Sequence, residues 1–403
     1  MKVLVLNCGS SSIKYKLYDM SNESVLGQGG IEKLGLKDSF LKFKLPNGDK
    51  KTIEKFMPEH TVGVELILET LTNTEYGCIK SLNEIDAVGH RLVHGGEKFN
   101  TSVIITPEVI DKMNECTDLA PLHNPANLKG VAAITKILPN VPQVGVFDTA
   151  FHQTMPDYAY MYALPYEYYE KYGVRRYGFH GTSHRYVAKR TCEFFGLDYN
   201  NSRIITCHLG GGGSVTAVLN GKSIDTSMGL TPVEGLVMGT RSGDVDLGAI
   251  TYIMDKEKMD VAAVNNMINK KSGVLGVSGV SSDMRDILAA MAEGNKRADL
   301  AMNMFNYRLL KYIGAYMAVL GGVDVIAFTG GIGEKQNETR DYICRKLEYL
   351  GVKFDAALND KVRGDEVEIS TKDSKIRVAV IATDEELTIA RDTMDLIKGG
   401  SIN

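Results

Sequence analysis

Two stretches of the chain share one device: an apolar strand, a turn built of Gly and Ser, and a returning strand. The first is Val3 to Asp19, VLVLNCGSSSIKYKLYD; the second is Ile204 to Gly221, IITCHLGGGGSVTAVLNG. After the first turn Ile13, Tyr15 and Leu17 alternate with Lys14 and Lys16, a period of two that continues a strand and not a helix. A Walker loop, GxxxxGK[ST], runs from strand into helix, and no such string occurs here. Small residues in a hairpin turn let backbone N–H groups approach a phosphate, while Ser10, Ser12 and Lys14 add donors and charge. One such turn reads as an ordinary hairpin. Two, each opening a half of the chain, favour a nucleotide cleft between duplicated domains.

At 403 residues the chain exceeds one typical core, which predicts two domains. Its 46 basic and 50 acidic residues leave a net charge of −4, against a nucleic-acid partner or a polybasic membrane contact. The apolar run in MKVLVLN is too short for a signal peptide, and no segment approaches the ~18 apolar residues of a membrane span. Six cysteines without CxxC spacing predict free thiols in a reducing cytoplasm.

Strands are expected at Val3–Leu6, Ile13–Tyr18, Asp86–Val93 and Val144–Asp148, with helices at Val62–Leu71 and Asn127–Ile137. A second series begins near Phe151: a helix capped by Ser183, the Ile204 hairpin, and a Gly-rich loop Gly229–Asp246. A long helical region, Met284–Leu320, precedes strand Val323–Thr329, which ends in TGGIGE. The segment Glu385–Lys398 is amphipathic and is expected to pack back on the body. The expected domains are 1–150, joined by the C-terminal helix 385–403, and 151–384. No Pro/Ser-rich linker separates them, which predicts a tight hinge.

Several residue settings invite chemistry. Asp148 closes the strand VGVFD, where a carboxylate can reach a reacting group or a metal's water, or simply cap a turn. His180 and His184 in RRYGFHGTSHRY have i, i+4 spacing, but the carboxylate of HExxH is absent; a His beside glycines suits a donor to an oxyanion better than a zinc ligand. Arg91 in GHRLVHGG and Arg241 in MGTRSGDVD sit among small residues, able to present a fork to carboxylate or phosphate, or to form surface ion pairs. TGGIGE lacks the GxGxxG dinucleotide pattern; it reads as a turn near adenine or ribose, or as a helix entry. Asp283 and Arg285 read as nucleotide contacts, or as a cap and first-turn charge. Asn7 and Glu385 would suit Mg²⁺ that keeps most of its waters, though a first-turn Glu is also favoured by the helix dipole.

With these residues laid out, the chain resembles the acetate kinase family, within the actin–hexokinase superfamily. VLVLNCGSSSIK is similar to the first family signature, N-x-G-S-S-S-x-K after an apolar strand, and IITCHLGGGGSVTAVLNG to the second, H-x-G-x-G-x-[ST]. The likeness runs from the first strand to the last helix. It implies an α/β fold of two duplicated ribonuclease-H-like (actin–hexokinase type) domains with an interdomain active-site cleft.

The resemblance also implies Mg²⁺-dependent transfer between ATP and acetate, giving acetyl phosphate and ADP, with Mn²⁺ as a substitute metal, in a cytoplasmic homodimer. By the family pattern Asn7 and Glu385 assist the metal, and Lys14 with Ser10 and Ser12 meets the phosphates. Arg91 binds the acetate carboxylate, while Val93, Leu122 and Pro232 shape a methyl pocket. Asp148, His180 and Arg241 are catalytic. His208, Leu209, Gly210, Gly211, Gly212, Asp283, Met284, Arg285, Gly331, Ile332, Gly333, Glu334 and Lys335 contact the nucleotide. The chain departs from the family pattern in three places: Gly211 stands for Asn, Met284 for Phe, and Asp384 for Asn in NEEL. Acetate already carries its nucleophilic oxygen, so the task is to bring two anions together, which calls for cations more than for a general base. Asp148 is therefore expected to hold metal water or orient an Arg. A propionate or butyrate kinase, and a non-catalytic ATP-binding switch, are the rival readings.

Overall fold

The computed structural model describes residues 1–45 and 48–402. Contacts divide the chain into two compact units, Met1–Phe151 with Asp384–Asn403, and His152–Thr383.

The first unit is built on eight strands: β1 (Lys2–Cys8), β2 (Ser12–Asp19), β3 (Ser24–Glu32), β4 (Phe40–Lys44), β5 (Lys50–Glu54), β6 (Ala87–Leu92), β7 (Val103–Ile104) and β8 (Gln143–Phe147). They lie in the order β5-β4-β3-β2-β1-β6-β8-β7. The β1–β2 hairpin is antiparallel with Asn7 opposite Lys14, while β6 and β8 continue the sheet in parallel from β1. Alternation along β1 assigns its two faces. Leu4, Leu6 and Cys8 pack with Val64, Ile67 and Ile134 of helices His60–Leu71 and Asn124–Ile137. Val3 and Val5 face Ile389 and Ala390 of helix Glu385–Ile397, so the amphipathic C-terminal segment covers the opposite face of this sheet.

The second unit repeats the plan with six strands: β9 (Arg203–Leu209), β10 (Gly213–Leu219), β11 (Lys222–Thr226), β12 (Val325–Thr329), β13 (Val367–Glu368) and β14 (Arg377–Val380), ordered β11-β10-β9-β12-β14-β13. Again two antiparallel neighbours flank one side of the opening strand and two parallel strands follow on the other. Each unit is thus an α/β domain of the ribonuclease-H-like, actin–hexokinase type. Ile205, Cys207 and Leu209 of β9 pack on Phe305, Leu309 and Ile313 of helix Lys296–Val319. The alternate residues of β9, Thr206 and His208, point to the face covered by helix Gly181–Phe195, whose Val187 packs on Ala327 and Ala379.

Two local expectations need correction. The region Met284–Leu320 is two helices, Met284–Ala292 and Lys296–Val319. Gly294, at φ +84°, turns the chain, and the Asn295 side chain accepts from Arg297 N and Ala298 N to start the second helix. Ser183 does not cap its helix. His180 holds the N-cap position, and Ser183 lies in the first turn. Of the two readings of TGGIGE the helix entry is present: the segment opens a short helix, Gly330–Lys335, in which Glu334 accepts from Gly330 N.

Candidate active site

In the first unit the chemistry gathers at the carboxyl ends of β1, β6 and β8. Asp148, 2% exposed directly after β8, accepts from Arg91 Nε at 3.0 Å and from Nη2 at 2.7 Å. Glu385 stands 3.9 Å from Arg91 Nε. Arg91 is pushed up, first by the Asp148 charge, with burial opposing. Glu385 is pushed up to about 7, chiefly by burial; Arg91 pulls against the rise, and the charges of Asp148 and Glu386 add to it. Lys14, facing solvent on β2, is the remaining cation that Glu385 senses.

The turn that carries Ser10 and Ser12 is closed by Gly9 N donating to Ser12 O at 2.8 Å; Ser10 is exposed, Ser12 and Asn7 half-buried. Asn127 ties this turn to the Arg91 strand: its Nδ2 donates to Cys8 O at 2.7 Å, and its Oδ1 accepts from Val93 N at 3.0 Å. Val93 is half-buried, whereas Leu122 is 73% exposed on a turn.

In the second unit the centre is the glycine turn between β9 and β10. Gly210 N donates to Gly212 O, and Gly239 N, from the Gly229–Asp246 loop, donates to Gly211 O. A Cβ on Gly212 would lie 3.1 Å from Arg241 Nη1 and 3.8 Å from His180 Nε2, so both cationic candidates border this turn. Among the described residues no carboxylate pairs with Arg241; its Nη1 donates to Met238 Sδ at 3.9 Å, and burial alone lowers its pKa. A half-buried guanidinium in such a setting can receive an incoming anion.

His180 adopts φ +56°, ψ +22°, a left-handed conformation that costs about 1 kcal/mol and persists where surroundings over-determine it. Its ring stacks on His208 at 4.3 Å between centroids, and its Nδ1 meets Ser214 Oγ at 2.9 Å. His208 Nδ1 in turn meets Ser183 Oγ at 2.8 Å. Leu209 is fully buried, and Gly211 opens onto space that a side chain could fill.

The Arg241 loop is anchored at both ends. Arg176 donates to Glu234 Oε1 at 2.6 Å and to the carbonyls of Thr226, Ser227 and Met228, while Tyr162 donates to Glu234 Oε2. Asp244 accepts from Gly235 N and Tyr312. Pro232 is a half-buried residue of this loop.

Asp283 caps helix Met284–Ala292 and holds Arg285 by its side chain, leaving Arg285 exposed. Met284 is buried. Behind Gly331, Ile332, Gly333, Glu334 and the exposed Lys335 lies Arg340, fully buried, donating to Gly333 O at 2.8 Å and to Asn359 Oδ1 at 2.8 Å. Ser214, Asn127, Arg176 and Arg340 were not legible in the sequence as site residues. Asn127, Arg176 and Arg340 work through contacts that no short motif announces, and Ser214, although it follows the four glycines of the second signature, shows its role only in its contact with His180.

All six cysteines are free, and Cys8 and Cys207 are pushed up by burial, Cys8 to about 12, which keeps its thiol protonated. Among the described residues no helix is long and apolar enough to cross a membrane, and no cluster of three His, Cys, Asp or Glu forms a metal cage.

The profile of the Acetokinase family matches residues 2–391 of this chain. Acetate kinase of Bacteroides thetaiotaomicron is 67% identical over 398 residues, covering 99% of this chain and 100% of that protein. The crystal structure of Porphyromonas gingivalis acetate kinase superposes with a TM-score of 0.96 at 62% identity, covering 98% of this chain and 99% of that one. A propionate kinase from Francisella tularensis gives 0.90 at 43% identity, over 98% and 99% of the two chains.

Proposed function

The chain belongs to the acetokinase family, and from that premise we infer that it transfers the γ-phosphoryl group of ATP reversibly to acetate, forming acetyl phosphate and ADP. The observation that carries the reading is Arg241, a half-buried cation without a carboxylate partner among the described residues, set with His180 against the glycine turn.

In the forward direction an acetate oxygen attacks the γ-phosphorus while the bond to the β-phosphate oxygen breaks, and ADP leaves with that electron pair. Arg241 and a hydrogen on His180 Nε2 offset the charge on the equatorial oxygens. The glycine turn Gly210–Gly212 gives the phosphates close access to backbone, and Met284 and the Gly331–Lys335 segment take the nucleoside. Arg91 holds the acetate carboxylate. Asp148 occupies its Nε/Nη2 edge, so the Nη1/Nη2 edge is the one offered to substrate. Asp148 therefore acts by orienting Arg91 rather than by removing a proton. Val93 borders the methyl group in this reading; Leu122, exposed as it stands, would have to pack on arrival of substrate.

Oxygen donors at Asn7, Asp148 and Glu385 suit a hard divalent cation that keeps several waters and takes the rest of its ligands from phosphates. Mg²⁺ held there, with Mn²⁺ as a substitute, would neutralise phosphate charge. Lys14 and Ser12 complete the phosphate contacts from the first turn. A cytoplasmic homodimer is the assembly proposed.

A hydroxylamine trap tests the reading. With ATP, Mg²⁺ and acetate the enzyme should yield acetyl hydroxamate, with propionate slower by a factor of ~10–200, the worth of one methylene. A higher kcat/KM for propionate would assign the chain to the propionate kinases instead. ATP binding without acyl phosphate from any short acid would leave a nucleotide-binding switch.

A further inference from the structure

Behind His180 runs a line of side chains that the reaction does not touch. His180 Nδ1 meets Ser214 Oγ at 2.9 Å, Ser214 Oγ meets His184 Nε2 at 2.7 Å, and His184 Nδ1 meets Thr206 Oγ1 at 2.7 Å. Ser214, His184 and Thr206 are all fully buried. Among the described residues, Thr206 Oγ1 has no hydrogen-bond partner other than His184, and Ser214 Oγ none other than the two imidazoles.

Counting hydrogens gives this line a direction. Burial lowers the His184 pKa well below the ordinary value, so its ring is neutral with one N–H. Three bonds join the four side chains, and each needs one hydrogen. If His180 spent its ring hydrogen on Ser214, then Ser214 would donate to His184 Nε2, and His184 would donate from Nδ1 to Thr206. The Thr206 hydroxyl hydrogen would then be buried with no acceptor. In the reverse direction Thr206 donates to His184 Nδ1, His184 Nε2–H donates to Ser214, and Ser214 donates to His180 Nδ1. Every buried hydrogen is used, and only acceptor lone pairs are left over. Buried orphan donors are the rarer and costlier fault.

We propose that Ser214 is a positioning residue for His180: its hydroxyl, oriented by Thr206 through His184, donates to Nδ1 and holds the neutral imidazole in the tautomer that carries its hydrogen on Nε2. Nε2 is the nitrogen on the Gly212 side, beside Arg241. The groups facing the ring are His208, stacked on it, His184 behind Ser214, and Arg241 across the turn. With Arg241 already supplying charge there, a neutral N–H donor serves the phosphoryl oxygens without a second cation beside the first. The proposal rests on the phosphotransfer reading for its catalytic meaning, but the tautomer itself does not.

The test is a long-range ¹H–¹⁵N correlation spectrum of the full chain labelled with ¹⁵N-histidine, at about pH 8 where an ordinary imidazole is neutral. His180 is assigned by the signals that vanish in His180→Asn. The expected pattern is protonated Nε2 and unprotonated Nδ1, shifting toward a mixture of tautomers in Thr206→Val, which removes the donor but keeps the shape. Ser214→Ala should lower kcat roughly tenfold with both KM values within about threefold. A wild-type spectrum with the hydrogen on Nδ1, or a His180 pattern unmoved in Thr206→Val, overturns the proposal. The wild-type spectrum decides even where a variant does not fold. A hydroxamate assay on the same sample separates the two readings: no acyl phosphate strikes the activity and leaves the tautomer result standing.

Discussion

Arg91 grips Asp148 along one edge of its guanidinium, Nε to Oδ1 at 3.0 Å and Nη2 to Oδ2 at 2.7 Å. Two parallel bonds fix the plane of the fork, so the second edge is aimed before any ligand binds. An acid so engaged is poorly placed to take a proton, and acetate has none to give at neutral pH.

Removing the fork should therefore strike one substrate. Arg91→Ala is expected to raise the KM for acetate by about 10–100-fold while the KM for ATP stays within about threefold. Steady-state kinetics with each substrate varied in turn measures the split. Equal rises in both would refute the clamp. Arg91→Ala also strands a buried carboxylate, so its thermal midpoint should fall more than that of Arg91→Lys.

Arg241 should behave differently, since its counter-charge is proposed to come with the reaction. Arg241→Ala is expected to lower kcat by about 10³-fold or more, with ATP still bound. Turnover near the wild-type rate in a folded variant would remove Arg241 from the chemistry.

Glu385 gives a pH signature. Its carboxyl rises from 4.5 to about 7 in the folded protein. The folded chain thus holds a proton that the unfolded chain has released, so the group's stabilisation is complete below pH 4.5 and is lost as pH rises through about 7. Glu385→Gln lacks this loss. Its stability relative to the wild type should grow between about pH 5 and pH 8 by about 1–3 kcal/mol, in chelator. Parallel thermal-unfolding profiles would contradict the raised pKa.

The link through Asn127 predicts a structural effect with a functional edge. Asn127→Ala leaves Cys8 O and Val93 N without their buried partner and should cost about 2–4 kcal/mol in denaturant unfolding. A loss under about 0.5 kcal/mol would show that water replaces the amide.

Local rules made much of the fold legible. The alternation of Ile13, Tyr15 and Leu17 against Lys14 announces β2, and all three apolar residues are buried while Lys14 is exposed. The apolar stripe of Glu385–Lys398 gives a helix whose Ile389 and Ala390 are buried on β1. Where two local signals competed, the pattern misled. The helical region expected from Met284 to Leu320 is two helices because Gly294 and Asn295 interrupt it with a left-handed turn and a cap. Ser183 has cap chemistry, yet its hydroxyl is spent on His208 and Thr383, and the backbone of His180 begins the helix instead.

The meeting of His180 and Arg241 at Gly212 joins residues about sixty positions apart through a glycine turn with room for both. Each residue alone was open to a bland reading as a loop His or a surface ion pair. Thr206 and Asn127 carried no signal, and Ser214 only its place as the last residue of the second signature, since a buried hydroxyl or amide reveals its purpose only through the partner it meets. Around Asp283 and Arg285 two readings were open, and the cap with its first-turn charge is present.

The most direct measurement is a ³¹P NMR time course with ATP, Mg²⁺ and acetate, run in parallel on the wild type and Arg241→Ala. The account predicts that the γ-phosphate signal declines as acetyl phosphate and ADP rise together in the wild type, with no acyl phosphate above background in the variant. Release of inorganic phosphate as the primary product, or an equal rate of acetyl phosphate formation by the two proteins, would contradict it.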